Sequence, residues 1–254
     1  MVCIEYLYLN NMVKILFIAV FSPTSTNISQ AKALERLGYE VERYDYRAIE
    51  ACLGNNRRDE NIKNKVSENN YDCVLISKGS GISAEVVEHC NKFSKTCLWY
   101  MDPVNGNLND SFISKAKLAN VVCCALRDPF KIIKGYNNRT FFVHEGFDAE
   151  VDYPEEQITP IYDVAFIGHL RGDRAYYKNK IKFENIINAY GHEHSVAVAK
   201  SKINLNFTEG GTSDRTYKVL AAKGFLLTQL WPLIELDFIL NRHLVSFDSV
   251  SDLK

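Results

Sequence analysis

The chain has 254 residues, 46% apolar, 24% charged and 12% aromatic, and its 30 basic side chains nearly balance 31 acidic ones for a formal net charge of −1. These values describe a folded globular chain and exclude collagen-like, disordered and highly charged classes. Near-neutrality also argues against a general nucleic-acid binder, which needs many cations meeting phosphates; only a local basic pocket remains open.

Met12 reads as a more natural start than Met1, and residues 1–11 are given no function. The most apolar run, Val13–Phe21, falls well short of the roughly twenty residues a membrane-spanning helix needs. The polar Ser22-Pro23-Thr24-Ser25-Thr26-Asn27 after it does not supply a signal-cleavage site. Its β-branched content suits a buried strand, so neither export nor a membrane span is expected. A helix follows from Asn27 to Leu37, closed by Gly38 at the C′ position, and then a strand over Glu40–Tyr44. The charged segment Asn55–Asn70 is expected to include a solvated helix. Strand Asp72–Ser77, helix Ser83–Asn91, strand Thr96–Tyr100, helix Asp110–Ala119, strand Val121–Ala125, helix Asp128–Gly135 and strand Thr140–Val143 complete a first domain, residues 12–145.

An acidic stretch with two prolines, Pro154 and Pro160, reads as a linker over 146–162. A second domain, 163–254, alternates again: strand Asp163–Gly168, helices Tyr176–Asn188 and Glu193–Ser201, strand Ile203–Phe207, helix Asp214–Lys223, and strands Phe225–Thr228 and His243–Phe247. Strand–helix alternation with short links implies parallel, doubly wound sheets. Two α/β domains are thus expected to face a cleft, with ligands beyond the carboxyl ends of the strands.

The seven cysteines, Cys3, Cys52, Cys73, Cys90, Cys97, Cys123 and Cys124, form no C-x-x-C pair and are odd in number. Neither a zinc site nor a disulfide framework is implied. Several sit in apolar strand-like runs and read as small buried hydrophobes, in a reducing cytoplasm. His192 and His194, two apart with no third ligand nearby, do not make a zinc site either and read as a surface turn or ligand loop.

The segment Ser201–Thr228 is a strand, a glycine-containing loop, a helix and a buried strand. Thr212 or Ser213 can cap the helix, leaving N–H groups and the positive dipole end free to meet an anion. With Asp214 opening the helix and Arg215 and Lys218 in its first turns, a diphosphate seat results; the plainer alternative is a capped helix with surface charges. Asp102, in Trp99-Tyr100-Met101-Asp102-Pro103 at a strand end, can take a proton from an acceptor hydroxyl or merely fix its own turn before proline. Gly79-Ser80-Gly81-Ile82-Ser83-Ala84 fits the G-x-G-x-x-A dinucleotide fingerprint, with Asp102 about twenty residues on. It follows the third strand, whereas that fingerprint occupies the first turn.

Taken together, Ser201-Lys202-Ile203-Asn204-Leu205-Asn206, Ser213-Asp214-Arg215-Thr216-Tyr217-Lys218, Gly224-Phe225-Leu226-Leu227-Thr228, Asp237-Phe238 and His243-Leu244-Val245-Ser246-Phe247 resemble the nucleotide-sugar domain of GT-B glycosyltransferases, particularly the spore-maturation-protein-like group. Tyr162-Asp163-Val164-Ala165-Phe166-Ile167-Gly168-His169 and His144–Asp148 match the same group. The resemblance implies two Rossmann-like doubly wound domains and a cytoplasmic, hexosyltransferase-type enzyme. Its donor would be a nucleotide-diphosphate sugar, with no other cofactor, and its acceptor a glycan, protein or small molecule. No D-x-D triplet occurs, so the transfer would proceed without a metal. Gly168, His169, Arg171, Thr212, Ser213, Asp214, Arg215 and Lys218 would bind the donor, and Asp102 would act as base. Many GT-B enzymes place a glutamate where this chain has Lys218; a lysine cannot accept ribose hydroxyls and would contact phosphate instead. The chain stops at Ser251-Asp252-Leu253-Lys254, where a further helix is expected to begin, so the second domain reads as incomplete. An inactive nucleotide-sugar-binding protein and an NAD-binding Rossmann enzyme are the alternatives.

Overall fold

The structure is a computed structural model that describes residues 12–103, 108–208 and 210–253; the readings of residues 1–11, including Cys3, and of Lys254 lie outside them. In chain order the elements are β1 (Lys14–Ala19), α1 (Asn27–Arg36), β2 (Glu40–Asp45), α2 (Tyr46–Leu53), α3 (Asn55–Glu68), β3 (Cys73–Ser77), α4 (Ala84–Cys90), β4 (Lys95–Tyr100), α5 (Asp110–Leu118), β5 (Val121–Cys124), α6 (Arg127–Lys134) and β6 (Thr140–Phe142). After a stretch without regular structure come β7 (Tyr162–Ile167), α7 (Asp173–Lys178), β8 (Glu184–Ile186), α8 (His192–Ala199), β9 (Ser201–Asn206), α9 (Asp214–Ala221), β10 (Leu226–Gln229) and β11 (Val245–Phe247).

One sheet has the order β2-β1-β3-β4-β5-β6 and the other β11-β10-β9-β7-β8. β1 runs parallel to β2 and β3, and β7 runs parallel to β8 and β9. In both sheets the order therefore reverses around the first strand, at β1/β3 and at β7/β9. Such switch points leave a crevice at the carboxyl ends where loops diverge, the usual ligand position in open α/β sheets. The chain divides into two compact units, Met1–Trp99 with Asp110–Val122, and Tyr100–Asn109 with Cys123–Lys254.

Local chemistry accounts for most elements. β1 is buried from Ile15 to Ala19, as a central parallel strand covered on both faces must be. Gly38, at φ +87°, ends α1 in a Schellman motif: its N–H donates to Glu35 O at 3.0 Å and that of Tyr39 to Leu34 O at 3.2 Å. The apolar clusters of the second sheet pair Val198 of α8 with Val219 of α9 on one side and Phe166 with Phe183 and Phe207 on the other.

One element is added and two expectations are corrected. The segment between β2 and Asn55 forms α2, capped by Asp45, whose Oδ1 accepts from the N–H groups of Arg47 at 3.1 Å and Ala48 at 3.0 Å. Helix α3 is not merely solvated: Arg58, Asp59, Ile62 and Val66 are buried. Arg58 bridges Asp59 at 2.7 Å and the carbonyl of Gly81 at 2.6 Å. The helix expected over Tyr176–Asn188 is instead the short α7 followed by β8, because β7 needs a neighbour on that edge. Ile186 pairs with Ile167, and Phe183 packs its ring against Phe166. Among the described residues the cysteines form no disulfide; only Cys90 and Cys124 are buried, Cys73, Cys97 and Cys123 are half-buried and Cys52 is exposed, and burial pushes the thiols of Cys90 and Cys124 up to about 12. Among the described residues, no helix is long and apolar enough to cross a membrane.

Candidate functional site

The switch point of the second sheet is built on Phe166, which is fully buried in β7. Gly168 follows β7, held by its N–H to Ile186 O at 2.8 Å and by its carbonyl, which accepts from Asn185 Nδ2 at 2.8 Å. Its φ is +144°, and a Cβ there would stand 2.8 Å from Nη2 of Arg215 and 3.3 Å from Phe166 Cζ. Glycine is therefore required twice over, by conformation and by the close approach of a guanidinium.

Arg215 enters from the first turn of α9. Its Nε donates to Ile167 O at 2.8 Å and its Nη1 to Asn206 Oδ1 at 3.1 Å. Asn206, fully buried at the end of β9, spends its Nδ2 on the hydroxyls of Thr216 at 3.1 Å and Thr228 at 3.2 Å. A buried polar network with its members matched holds one geometry, so Arg215 is fixed in place with Nη2 turned toward Gly168. Its guanidinium carbon lies 4.9 Å from the Phe166 ring centroid, and that of Arg174, from α7, lies 5.6 Å from the same ring. Burial and the like charge of Arg174 pull the Arg215 pKa down to about 10 against the pull of Asp214. Two guanidiniums on one ring make a local positive centre in a chain of nearly neutral charge.

The α9 terminus is less capped than the sequence suggests. Ser213 stands at the N-cap but its side chain makes no cap hydrogen bond, and its Oγ is buried without a partner among the described residues. The expected side-chain cap is thus not formed there; only the Ser213 carbonyl is engaged, accepting from Thr216 N at 2.9 Å. Thr212 is buried beside Tyr217. Asp214 pairs with Lys218 at 2.8 Å. Burial raises the Asp214 carboxyl, but Lys218 and Arg215 outweigh that and hold it below the ordinary range. Lys218 is therefore engaged by a carboxylate.

The structure brings Gly168, Arg215, Asp214 and Lys218 together around the α9 terminus. His169 and Arg171 lie on the exposed loop after β7, with His169 Nε2 3.3 Å from the Tyr190 hydroxyl. Asp102 is half-buried just past β4, near Tyr100, whose hydroxyl burial and the Asp102 charge push up to about 12. The loop before α9 also needs Gly211, since a Cβ there would meet Leu126 Cδ2 at 2.7 Å. Tyr217 is held from the other side by His144 Nδ1 at 3.0 Å, and Asp237 pairs with Arg127.

Sequence reasoning missed Arg174, Asn185, Asn206 and the burial of His194, which is 8% exposed. The other glycine loop has a structural explanation: the Gly79 carbonyl accepts from the buried Lys115, the Gly81 carbonyl from Arg58, and a Cβ at Gly79 would stand 2.7 Å from Ile76 Cγ2. Among the described residues no cluster of three or more His, Cys, Asp or Glu could hold a metal ion.

Residues 156–254 match a family described as glycosyl transferase-like. No curated protein matches the chain. Among solved structures, sucrose-phosphate synthase from Thermosynechococcus elongatus superposes with a TM-score of 0.63 at 9% identity, covering 94% of this chain and 87% of that one. HepE from Anabaena, solved with UDP-glucose, gives a TM-score of 0.59 at 10% identity, over 94% and 87%. The lipopolysaccharide outer core galactosyltransferase WaaB gives 0.55 at 11%, over 94% and 88%. The chain has the two-sheet α/β fold of the GT-B glycosyltransferases, and residues 156–254 are similar to the glycosyl transferase-like family.

Proposed function

We propose that this chain moves a sugar from a nucleoside-diphosphate donor to an acceptor hydroxyl, without a metal, and seats the diphosphate at the β7/β9 switch point. The observation that carries this reading is the pair of guanidiniums, Arg215 and Arg174, against Phe166. Like charges held close together ask for an anion, and Arg presents forked donors that suit phosphate oxygens. The α9 terminus next to them adds its unmatched N–H groups and positive dipole end. The family match over residues 156–254 and the UDP-glucose held by the similarly folded HepE support the same ligand class.

In this mechanism Gly168, Thr212, Ser213 and Arg215 bind the diphosphate, His169 and Arg171 close on it from the exposed loop, and the Asp214–Lys218 pair keeps the α9 turn in register. As the sugar–phosphate bond breaks, charge develops on the departing diphosphate, where preorganised cations and N–H groups stabilise it most. Asp102 takes the proton of the acceptor hydroxyl.

The test is calorimetric titration of UDP and GDP in the presence of EDTA. The native chain binds one of them, and Arg215→Ala weakens it by about 1.5–3 kcal/mol, the worth of a charge-assisted hydrogen bond. Unchanged affinity in that variant removes the donor site. Asp102→Asn is expected to retain that affinity and lose release of nucleoside diphosphate from the sugar donor; unchanged turnover ends its role as base.

A further inference from the structure

His192, the first residue of α8, holds part of the irregular stretch between β6 and β7 against that helix. Its Nδ1 lies 2.9 Å from the Val151 carbonyl and its Nε2 lies 2.5 Å from Glu155 Oε1. The Tyr153 ring stacks on the imidazole, with centroids 3.9 Å apart and planes at 18°. Upstream, the chain closes a turn on itself: the Asp148 carbonyl accepts from Val151 N at 2.9 Å and Asp152 N at 2.6 Å, and Asp152 Oδ2 accepts from Asp148 N at 2.9 Å. Asp148 and Asp152 are buried, so this turn is anchored. The segment after it, Tyr153–Glu156, is different. Tyr153 is 42% exposed, and the Lys223–Glu156 pair joins two exposed side chains, a kind of contact that holds little. His192 is what fastens it.

The two polar contacts of the ring fix its protonation. A carbonyl and a carboxylate only accept, so both ring nitrogens must donate, and an imidazole has two N–H groups only as the cation. The charged groups that face the ring are Glu155 and, on α8 itself, Glu193. The Val151 carbonyl and these carboxylates raise the His192 pKa against its partial burial, and they also outweigh the α8 dipole, whose positive end disfavours a cation. Once neutral, the ring keeps one N–H. Nδ1 retains it for the carbonyl of the anchored turn, Nε2 releases its proton to solvent, and the bared lone pair then faces the Glu155 carboxylate. That contact turns from attraction to repulsion.

We infer that Tyr153–Glu156 is a proton-dependent strap, fastened to α8 by the His192 cation and let go when Nε2 loses its proton. Because the folded pKa lies above the ordinary 6.5, the strap is closed below that value and opens as the pH rises through the folded one. The full chain is digested with a glutamate-specific protease at pH 6 and pH 9, with rates normalised to an unstructured peptide carrying the same bond. Cleavage between Glu155 and Glu156 is expected to accelerate about tenfold, the change that one unit of pH beyond the folded pKa allows. His192→Gln, which has one donor group and cannot titrate, is expected to cleave at a rate independent of pH. In the native chain, 15N resonances of the ring are expected to show both nitrogens protonated at pH 6. The nuclear Overhauser contacts between the His192 and Tyr153 rings should fade in step with loss of the Nε2 proton, a readout independent of whether any variant folds. Glu155→Gln, which keeps an acceptor without its charge, should move the ring transition to lower pH. The strap is overturned by a native cleavage rate that does not change with pH, by an acceleration that persists in His192→Gln, or by ring contacts that survive deprotonation. An acceleration shared by glutamyl bonds throughout both units overturns it too, since the whole chain would then be loosening.

Discussion

Gly168 and Asn206 test whether Arg215 acts through its own charge or through the place where it is held. Gly168→Ala puts a methyl 2.8 Å from Nη2 and demands a φ of +144° that a Cβ disfavours, so the guanidinium must shift. We expect nucleotide affinity in that variant to fall about as far as in Arg215→Ala, with an unchanged circular dichroism spectrum. Asn206→Leu keeps the volume, strands Arg215 Nη1 and the Thr216 hydroxyl, and leaves the Thr228 hydroxyl with Gln229 O alone. Leaving buried polar groups unmatched costs about 1–3 kcal/mol, readable as a lower urea midpoint; an unchanged midpoint would show that water replaces the amide without cost. These positions also mark how far the sequence could be read. Arg215 and Asp214 stand at a helix start, where the local pattern exposes them, whereas Gly168 is reached only through the family resemblance. Asn206 is nine positions from Arg215, inside a strand that reads as buried, and Ile167 O is 48 positions away. Nothing in local pattern couples such residues; only the register of β7 against β9 does.

Helix ends show the same division between local and tertiary causes. Gly38 was legible because its role is confined to the local turn from Leu34 to Tyr39, and its substitution is correspondingly clean. A Cβ at Gly38 meets nothing within 4 Å, while its φ is +87°. The expected cost of Gly38→Ala is therefore conformational alone, about 1–2 kcal/mol, seen as destabilisation in denaturant with nucleotide affinity intact; a neutral result would mean that the turn relaxes out of the left-handed region. Helix α2 had a readable signature, Asp45 at its start and Gly54, at φ +79°, at its end, overshadowed by the charged run that follows. Helix α3 read as solvated because its charges were counted without their partners: Arg58 belongs to Asp59, Glu50 and Gly81. Helix α7 and strand β8 could not be separated by periodicity, since the strand exists to satisfy the edge of β7. Propensity is a weak prior wherever a sheet edge is waiting.

At the scale of the whole molecule, each compact unit carries one tryptophan, Trp99 in the first and Trp231 in the second, so their stabilities can be read separately, and a single two-state transition need not be assumed. The second unit is the acid-sensitive one. His194 has a folded pKa of about 4 against an ordinary 6.5, so between those values the unfolded chain binds the extra proton. Stability is then full above pH 6.5 and falls as the pH drops toward 4. Asp214, held low by Lys218 and Arg215 once its burial is outweighed, extends the loss below its unfolded pKa. His192 works the other way. Its Val151 carbonyl and Glu155 partners raise its pKa, so its contribution is present below pH 6.5 and is lost as the pH rises through the folded value; being half-exposed, it is partly screened. In the first unit Glu42, held low chiefly by Lys65 and Tyr71 against its burial, begins to lose its contribution only as the pH falls through the ordinary glutamate range near 4.5. Between pH 6.5 and 5, urea unfolding followed by Trp231 in Trp99→Phe should therefore lose stability with falling pH, while unfolding followed by Trp99 in Trp231→Phe stays nearly level. His194→Gln, which cannot titrate, should flatten the Trp231 curve over that interval. A slope that persists in the glutamine variant would move the acid sensitivity away from His194, and equal slopes at both tryptophans would mean that the two units unfold as one.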